Sequence, residues 1–226
     1  MIKEILAVFR SDSMMDRAYN RSYDMIYLTQ EMFKTAKDVL RYSEHSNTNI
    51  DVNDQDIEVN KYQREVRKDV LKHLALEGTD NLSSGLVLVT LVIDLERIGD
   101  YTKNIVEIAE NHPEKLFAGK FEQEVVKIEK AIEINFQKTI ECFKNADEEA
   151  AGYLVKEYKW ISRTIDEILM SLVRGEEKTL ATGCTVALAL YIRALKRINS
   201  HLRNIASSVV NPFHRIGYKP KKNKDK

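Results

Sequence analysis

Glu96 and Asp100 stand four residues apart in the stretch 86–110, LVLVTLVIDLERIGDYTKNIVEIAE. On a helix that spacing sets the two carboxylates one above the other. Like charges so placed repel, at a cost of roughly a few tenths of a kcal/mol. A hard cation held between them would remove the repulsion, and a solvated polar face would tolerate it. Asn104 and Glu107 extend the same stripe. Leu88, Leu91, Leu95, Ile98, Thr102 and Ile105 recur at steps of three and four on a face roughly opposite. The stretch therefore reads as an amphipathic helix with its acids turned away from the core.

That helix needs neighbours to cover its apolar seam. The chain has 226 residues, 43% hydrophobic and 31% charged, with only eight Gly and three Pro. So little turn chemistry predicts long helices rather than many short strands. Residues 1–10 read as a short amphipathic lead-in. Ser11 and Ser13 offer caps for a first helix over about 12–41. Its expected buried stripe includes Met15, Ala18, Tyr19, Met25, Ile26, Met32, Phe33, Ala36 and Leu40. The polar stretch EHSNTN is a loop. A second helix covers about 51–77 with Val59, Tyr62, Val66, Val70 and Leu74 on one face, and Gly78 fits the position after its end. Asn81, Ser83 and Ser84 are candidate starts for the third helix, and Pro113 lies just past its end.

Residues 112–119, HPEKLFAG, read as a linker, after which the plan repeats. A fourth helix covers about 120–145, with Val125, Ile128, Ile132, Phe136 and Ile140 apolar. A fifth runs from an Asp147 cap to about Arg174, ended by Gly175. A sixth covers about 179–210 and stops before Pro212. The repetition reaches the sequence itself. ERIGDYTKNI at 96–105 returns as KRINSHLRNI at 196–205, with Arg97/Arg197, Ile98/Ile198, Asn104/Asn204 and Ile105/Ile205 identical. Both segments sit in the third helix of three, which points to duplication. The expected fold is all-α: two tandem three-helix bundles, residues 1–112 and 113–226, the second ending in a basic tail.

Composition narrows the function. Lys+Arg and Asp+Glu both number 35, so charge gives no reason to expect nucleic acid. The basic run Lys219-Pro220-Lys221-Lys222-Asn223-Lys224 reads as a solvated end. Cys142 and Cys184 lie far apart in helical patterns and read as reduced core thiols, which suits a cytoplasmic protein. The N-terminus lacks the apolar core and small-residue cleavage site of a secretory signal, and no window is long and apolar enough to span a membrane. Trp160, the sole tryptophan, is expected to anchor the second bundle's core.

Glu96-Arg97-Ile98-Gly99-Asp100 followed by Asn104-Ile105 resembles the E-R-I-G-D-x-x-x-N-I signature of the PhoU family, and Asp56-x-x-Val59-Asn60 resembles that family's acidic turn in its second helix. The resemblance spans about 11–210. It implies two three-helix repeats and an accessory role in phosphate uptake and its signalling, with no catalysis. The implied partners are a phosphate transporter, its sensor kinase, or both, with a homodimer left open. It also implies a divalent or ferric ion (Fe, Zn, Mn or Mg) on the bundle's outer surface, held here by Asp56, Glu96 and Asp100. The second repeat departs from the signature. Lys196 stands where Glu96 stands and Ser200 where Asp100 stands, and Tyr158 aligns with the helix-two acid better than the neighbouring Glu157; in the first repeat itself Gln63 replaces a family Glu. An ammonium opposes cation binding, so no metal is expected on the second repeat.

Two other readings compete. A bundle-core di-iron oxidase needs Glu-x-x-His pairs, and none of the five histidines has Glu three residues before it. His201 reads as a surface or interface imidazole. A ligand-free helical adaptor would leave Glu96 and Asp100 solvated and paired with Arg97 or Lys103. No phosphate-binding loop, nucleophile elbow or zinc spacing is present.

Overall fold

The computed structural model describes residues 13–43, 52–112 and 114–220. The lead-in 1–10, the EHSNTN loop, Pro113 and tail residues 221–226 lie outside them. Among the described residues there are helices and no strand. The helices are α1 (Met14–Arg41), α2 (Val52–Glu77), α3 (Leu82–Asn111), α4 (Glu122–Asn145), α5 (Glu148–Glu157), α6 (Lys159–Val173) and α7 (Thr182–Val210). Short 3-10 turns cover Gly119–Phe121 and Phe213–Arg215.

Local chemistry sets the ends. Ser13 caps α1 in a reciprocal box with Asp16, which satisfies two backbone donors at once. Asp147 caps α5 by accepting from the Ala150 amide. Gly78 and Gly175 follow α2 and α6 at φ +90 and +64, left-handed positions that a side chain would strain.

The first bundle is α1, α2 and α3. The second is α4, the α5–α6 pair and α7. Every residue expected on the α1, α3 and α4 stripes is buried, whereas Tyr62 and Leu74 of α2 are half-buried. The expected single fifth helix is instead broken at Tyr158, whose ψ of 20 takes it out of the helix. Neither Gly nor Pro causes the break. Side chains of α7 take up carbonyls around it: Asn199 Nδ2 donates to the Tyr158 carbonyl at 3.1 Å and Arg203 Nε to that of Val155 at 3.3 Å. Trp160 is half-buried at the edge of the core, with the Lys127 ammonium 5.0 Å from its ring centre. The indole N–H and the cation–π contact both favour that edge position.

The bundles join along α3 and α7, which run antiparallel, and along α1 and α4. Residues 114–118 are no free tether. The Leu116 amide donates to the Leu40 carbonyl at 2.9 Å, and Leu116 and Ala118 are buried. Beside them Arg41 and Glu129 form a buried ion pair at 2.8 Å, each side chain at most 3% exposed. Arg41 also bonds Glu122 and the Leu116 carbonyl, and the Tyr191 hydroxyl donates to Glu129 at 2.7 Å. Buried charges persist only when their hydrogen-bonding capacity is filled in this way.

Candidate functional site

Asp56 sits in the second turn of α2, facing α3. It is buried, and its Oδ2 accepts from Lys103 Nζ at 3.0 Å and from Asn60 Nδ2 at 3.1 Å. Its Oδ1 is buried with no hydrogen-bond partner. Gly99 of α3 lies alongside, and a Cβ there would lie 3.6 Å from that same oxygen. Glu96 is half-buried one turn earlier on α3, and Asp100 is more exposed. Arg97 lies between the two acids, 3.6 Å from Glu96 and 3.2 Å from Asp100.

The three acids sense one another. Burial pushes the Glu96 carboxyl above its ordinary value, and the negative charges of Asp100 and Asp56 push it further, against Arg97 and Arg67. The stripe 96–107 is thus graded: Glu96 leans toward α2 while Asn104 and Glu107 are exposed. Gln63 is buried on α2. Among the described residues, no three His, Cys, Asp or Glu side chains are gathered into a ready-made metal cage. Lys103 occupies the near side of Asp56, where the ligand-free reading had placed it against Glu96 or Asp100.

The second repeat replaces each of these features. Residues 191–200 show the same alternation of buried, half-buried and exposed positions as 91–100. Asn199 stands in place of Gly99. Its amide takes the Tyr158 carbonyl and accepts from Asn135 at 3.1 Å. Tyr158 is buried in place of Asp56, Lys196 pairs with Asp166, and the Ser200 hydroxyl turns back onto its own helix at 2.9 Å. No acid pair remains there.

Two features escaped the sequence. His201 Nδ1 donates to Asp94 Oδ1 at 2.7 Å, and Asn204 Nδ2 to the same oxygen at 3.0 Å, across the α3–α7 seam. The pattern marked His201 as an interface imidazole, but Asp94 reads as solvent-facing until α7 covers it. The second feature is a groove of about 940 Å³ between the C-terminal half of α3 and the N-terminal half of α7. Cys184 lines it half-buried, its sulfur 3.3 Å from His112 Nε2, so only Cys142 is the fully buried core thiol expected. Burial pushes the Cys142 thiol up to about 12.

A family model described as PhoU domain matches residues 22–109 and again 125–209. Among solved structures, the crystal structure of PhoU from Pseudomonas aeruginosa is similar, with a TM-score of 0.76 and 23% sequence identity. The match covers 87% of this chain and 95% of that one. At this identity the likeness is one of fold. No curated protein matches the sequence.

Proposed function

This chain belongs to the PhoU family, whose domain it carries twice, and on that premise we propose that it is a cytoplasmic accessory regulator of phosphate uptake and phosphate-responsive signalling. It acts by contact with a phosphate transporter, its sensor kinase, or both, and performs no catalysis of its own. The observation that carries this reading is the doubled domain, which accounts for both bundles. No helix among the described residues is long and apolar enough to cross a membrane, so contact with a membrane transporter would run through that partner. The test is deletion of the gene. Phosphate accumulation or phosphate-responsive expression should change, and no change under limiting and replete phosphate alike would overturn the reading.

A metal ion is the second part of the proposal. The first repeat suits a hard cation: an unpartnered buried carboxylate oxygen on Asp56, and a Glu96 carboxyl whose charge is resisted by two neighbouring acids. Asp56, Glu96 and Asp100 would hold it, and a bound Fe, Zn, Mn or Mg ion would supply positive charge to that surface. Lys103 and Arg97 already supply part of that charge, which favours the ligand-free adaptor as the rival reading. Titration of each metal separates them. Asp100→Asn and Glu96→Gln should weaken binding and Lys196→Glu should leave it unchanged or raise it. Binding that survives loss of both first-repeat acids would place the ion elsewhere.

A further inference from the structure

The α3–α7 cleft has two halves, and the chain's own C-terminal segment fills one of them. After α7 the backbone folds back on itself, and the turn Phe213–Arg215 lies against α3. Asn211 Nδ2 donates to the carbonyls of Arg215 at 3.1 Å and Tyr218 at 2.7 Å. The Gly217 amide donates to Ser207 Oγ at 2.6 Å, with Asn204 directly beside it. Ser207 on α7 and Asn211 just past its end thus hold a turn of peptide by its backbone.

The 100-residue offset carries Asn204, Ser207 and Asn211 onto Asn104, Glu107 and Asn111. Those residues line the open groove in the other half of the cleft. The groove therefore repeats a peptide-binding surface whose occupant is known, but with no segment of the described chain in it. Its floor is apolar, and Val186 and Leu190 are each more than half exposed there. Its rim differs from the filled half in charge. Arg193 takes the place of Ile93, and with Arg197 one turn later it sets two guanidinium groups on one face. Arg197 donates to the Tyr101 hydroxyl, and Arg193 is exposed with no partner among the described residues.

We propose that this groove is the docking site for a short turn-forming segment of another polypeptide, with one apolar or aromatic anchor and carboxylates facing Arg193 and Arg197. The proposal rests on the reading above that the protein works through protein contacts, and it names where one such contact is made. The acidic character follows from the arginine pair, since guanidinium groups take carboxylates in paired hydrogen bonds. A turn rather than a helix follows from the filled half, where the occupant is a turn held through its backbone by the Asn211 amide and the Ser207 hydroxyl.

The test uses the full chain and two synthetic peptides. One has the sequence of residues 212–220. The other has His214, Arg215 and Lys219 each exchanged for glutamate. The acidic peptide should bind saturably and the parent peptide roughly tenfold more weakly, the weight of one hydrogen-bonded charge contact. Arg193→Glu should invert that preference, and Leu190→Asp should weaken both; each side chain is exposed, so the fold should survive. Bound peptide should also slow alkylation of Cys184 at the groove, while buried Cys142 stays silent. No binding, or binding indifferent to Arg193→Glu and Leu190→Asp, would overturn the proposal. In cells, a phosphate response disturbed by gene deletion but untouched by both groove variants would sink the docking site and leave the regulatory reading standing. A silent deletion would sink the regulatory reading, with the peptide result still deciding the groove.

Discussion

Tyr101 and His201, one hundred residues apart and at the same position of their two repeats, stack on each other with ring centres 5.8 Å apart. The imidazole is fixed there by Asp94 and the phenol by Arg197. The seam between bundles is therefore polar and directional at its middle, with apolar packing along its length. Asp94→Ala should leave His201 and Asn204 without their buried acceptor, at a cost of about 1–3 kcal/mol. Chemical denaturation of the variant reads it directly; a loss below a few tenths of a kcal/mol, about what a surface change costs, would show that the contact is incidental.

Glu129 pairs with Arg41 in a site almost closed to solvent. Glu129→Ala should cost about 3 kcal/mol, because Arg41 loses its buried counter-ion, keeping only Glu122 and the Leu116 carbonyl, and the buried Tyr191 hydroxyl loses its acceptor. The melting temperature should then fall by roughly 10 °C for a chain of this size. Replacing both partners, Arg41→Met with Glu129→Leu, should recover much of the loss. If the double variant melts no higher than Glu129→Ala, the ion pair is not the source of the effect.

Two glycines of α3 should respond in opposite ways to alanine. A Cβ on Gly85 would come within 2.8 Å of Val70 Cγ1, closer than real side chains pack. Gly85→Ala should destabilise by about 1 kcal/mol through overpacking. A Cβ on Gly99 meets its neighbours at an ordinary 3.6 Å. Gly99→Ala should therefore stabilise by about 0.5–1 kcal/mol, the usual gain of a helix interior. Paired thermal melts decide it, and equal signs would contradict the packing described.

Glu96 should cost the metal-free protein stability at neutral pH. Its folded carboxyl is held above the ordinary value of 4.5, so the ionised form is disfavoured in the fold relative to the unfolded chain. The penalty is present once pH exceeds the folded value and vanishes as pH falls below the ordinary one. Glu96→Gln should thus raise the melting temperature by ~1 °C at pH 7 and by less at pH 4. A variant that melts lower at pH 7 would contradict the repulsion.

Local signals carried most of the fold. The Ser13 and Asp147 caps, the glycines after α2 and α6, and the α1, α3 and α4 stripes follow from spacing and residue type alone. The break at Tyr158 does not, because the carbonyl there is taken up by Asn199, 41 residues further on. Asp94 and Glu129 meet their partners across the seam, Asp94 with His201 and Asn204 of the second bundle and Glu129 with Arg41 of the first, so a single bundle does not show them as paired. The acid pair Glu96 and Asp100 was visible as a spacing. That Lys103 would reach Asp56, and that Asp56 would keep one oxygen bare, depends on how α2 and α3 are rotated against each other.

The contact between Asp94 and His201 bears on how such a chain diverges. Two identical subunits meeting about a two-fold axis must make every contact twice, so any change at their interface is doubled. Once two copies are joined in one chain, each side of the axis can drift alone. Here the second copy of the contact is gone, since Ala194 and Tyr101 stand where Asp94 and His201 would recur. The same release from symmetry left one half of the cleft closed by the chain's own end and the other half open. An asymmetric molecule of this kind can offer different surfaces to different partners at once, which a symmetric dimer of single repeats could not do.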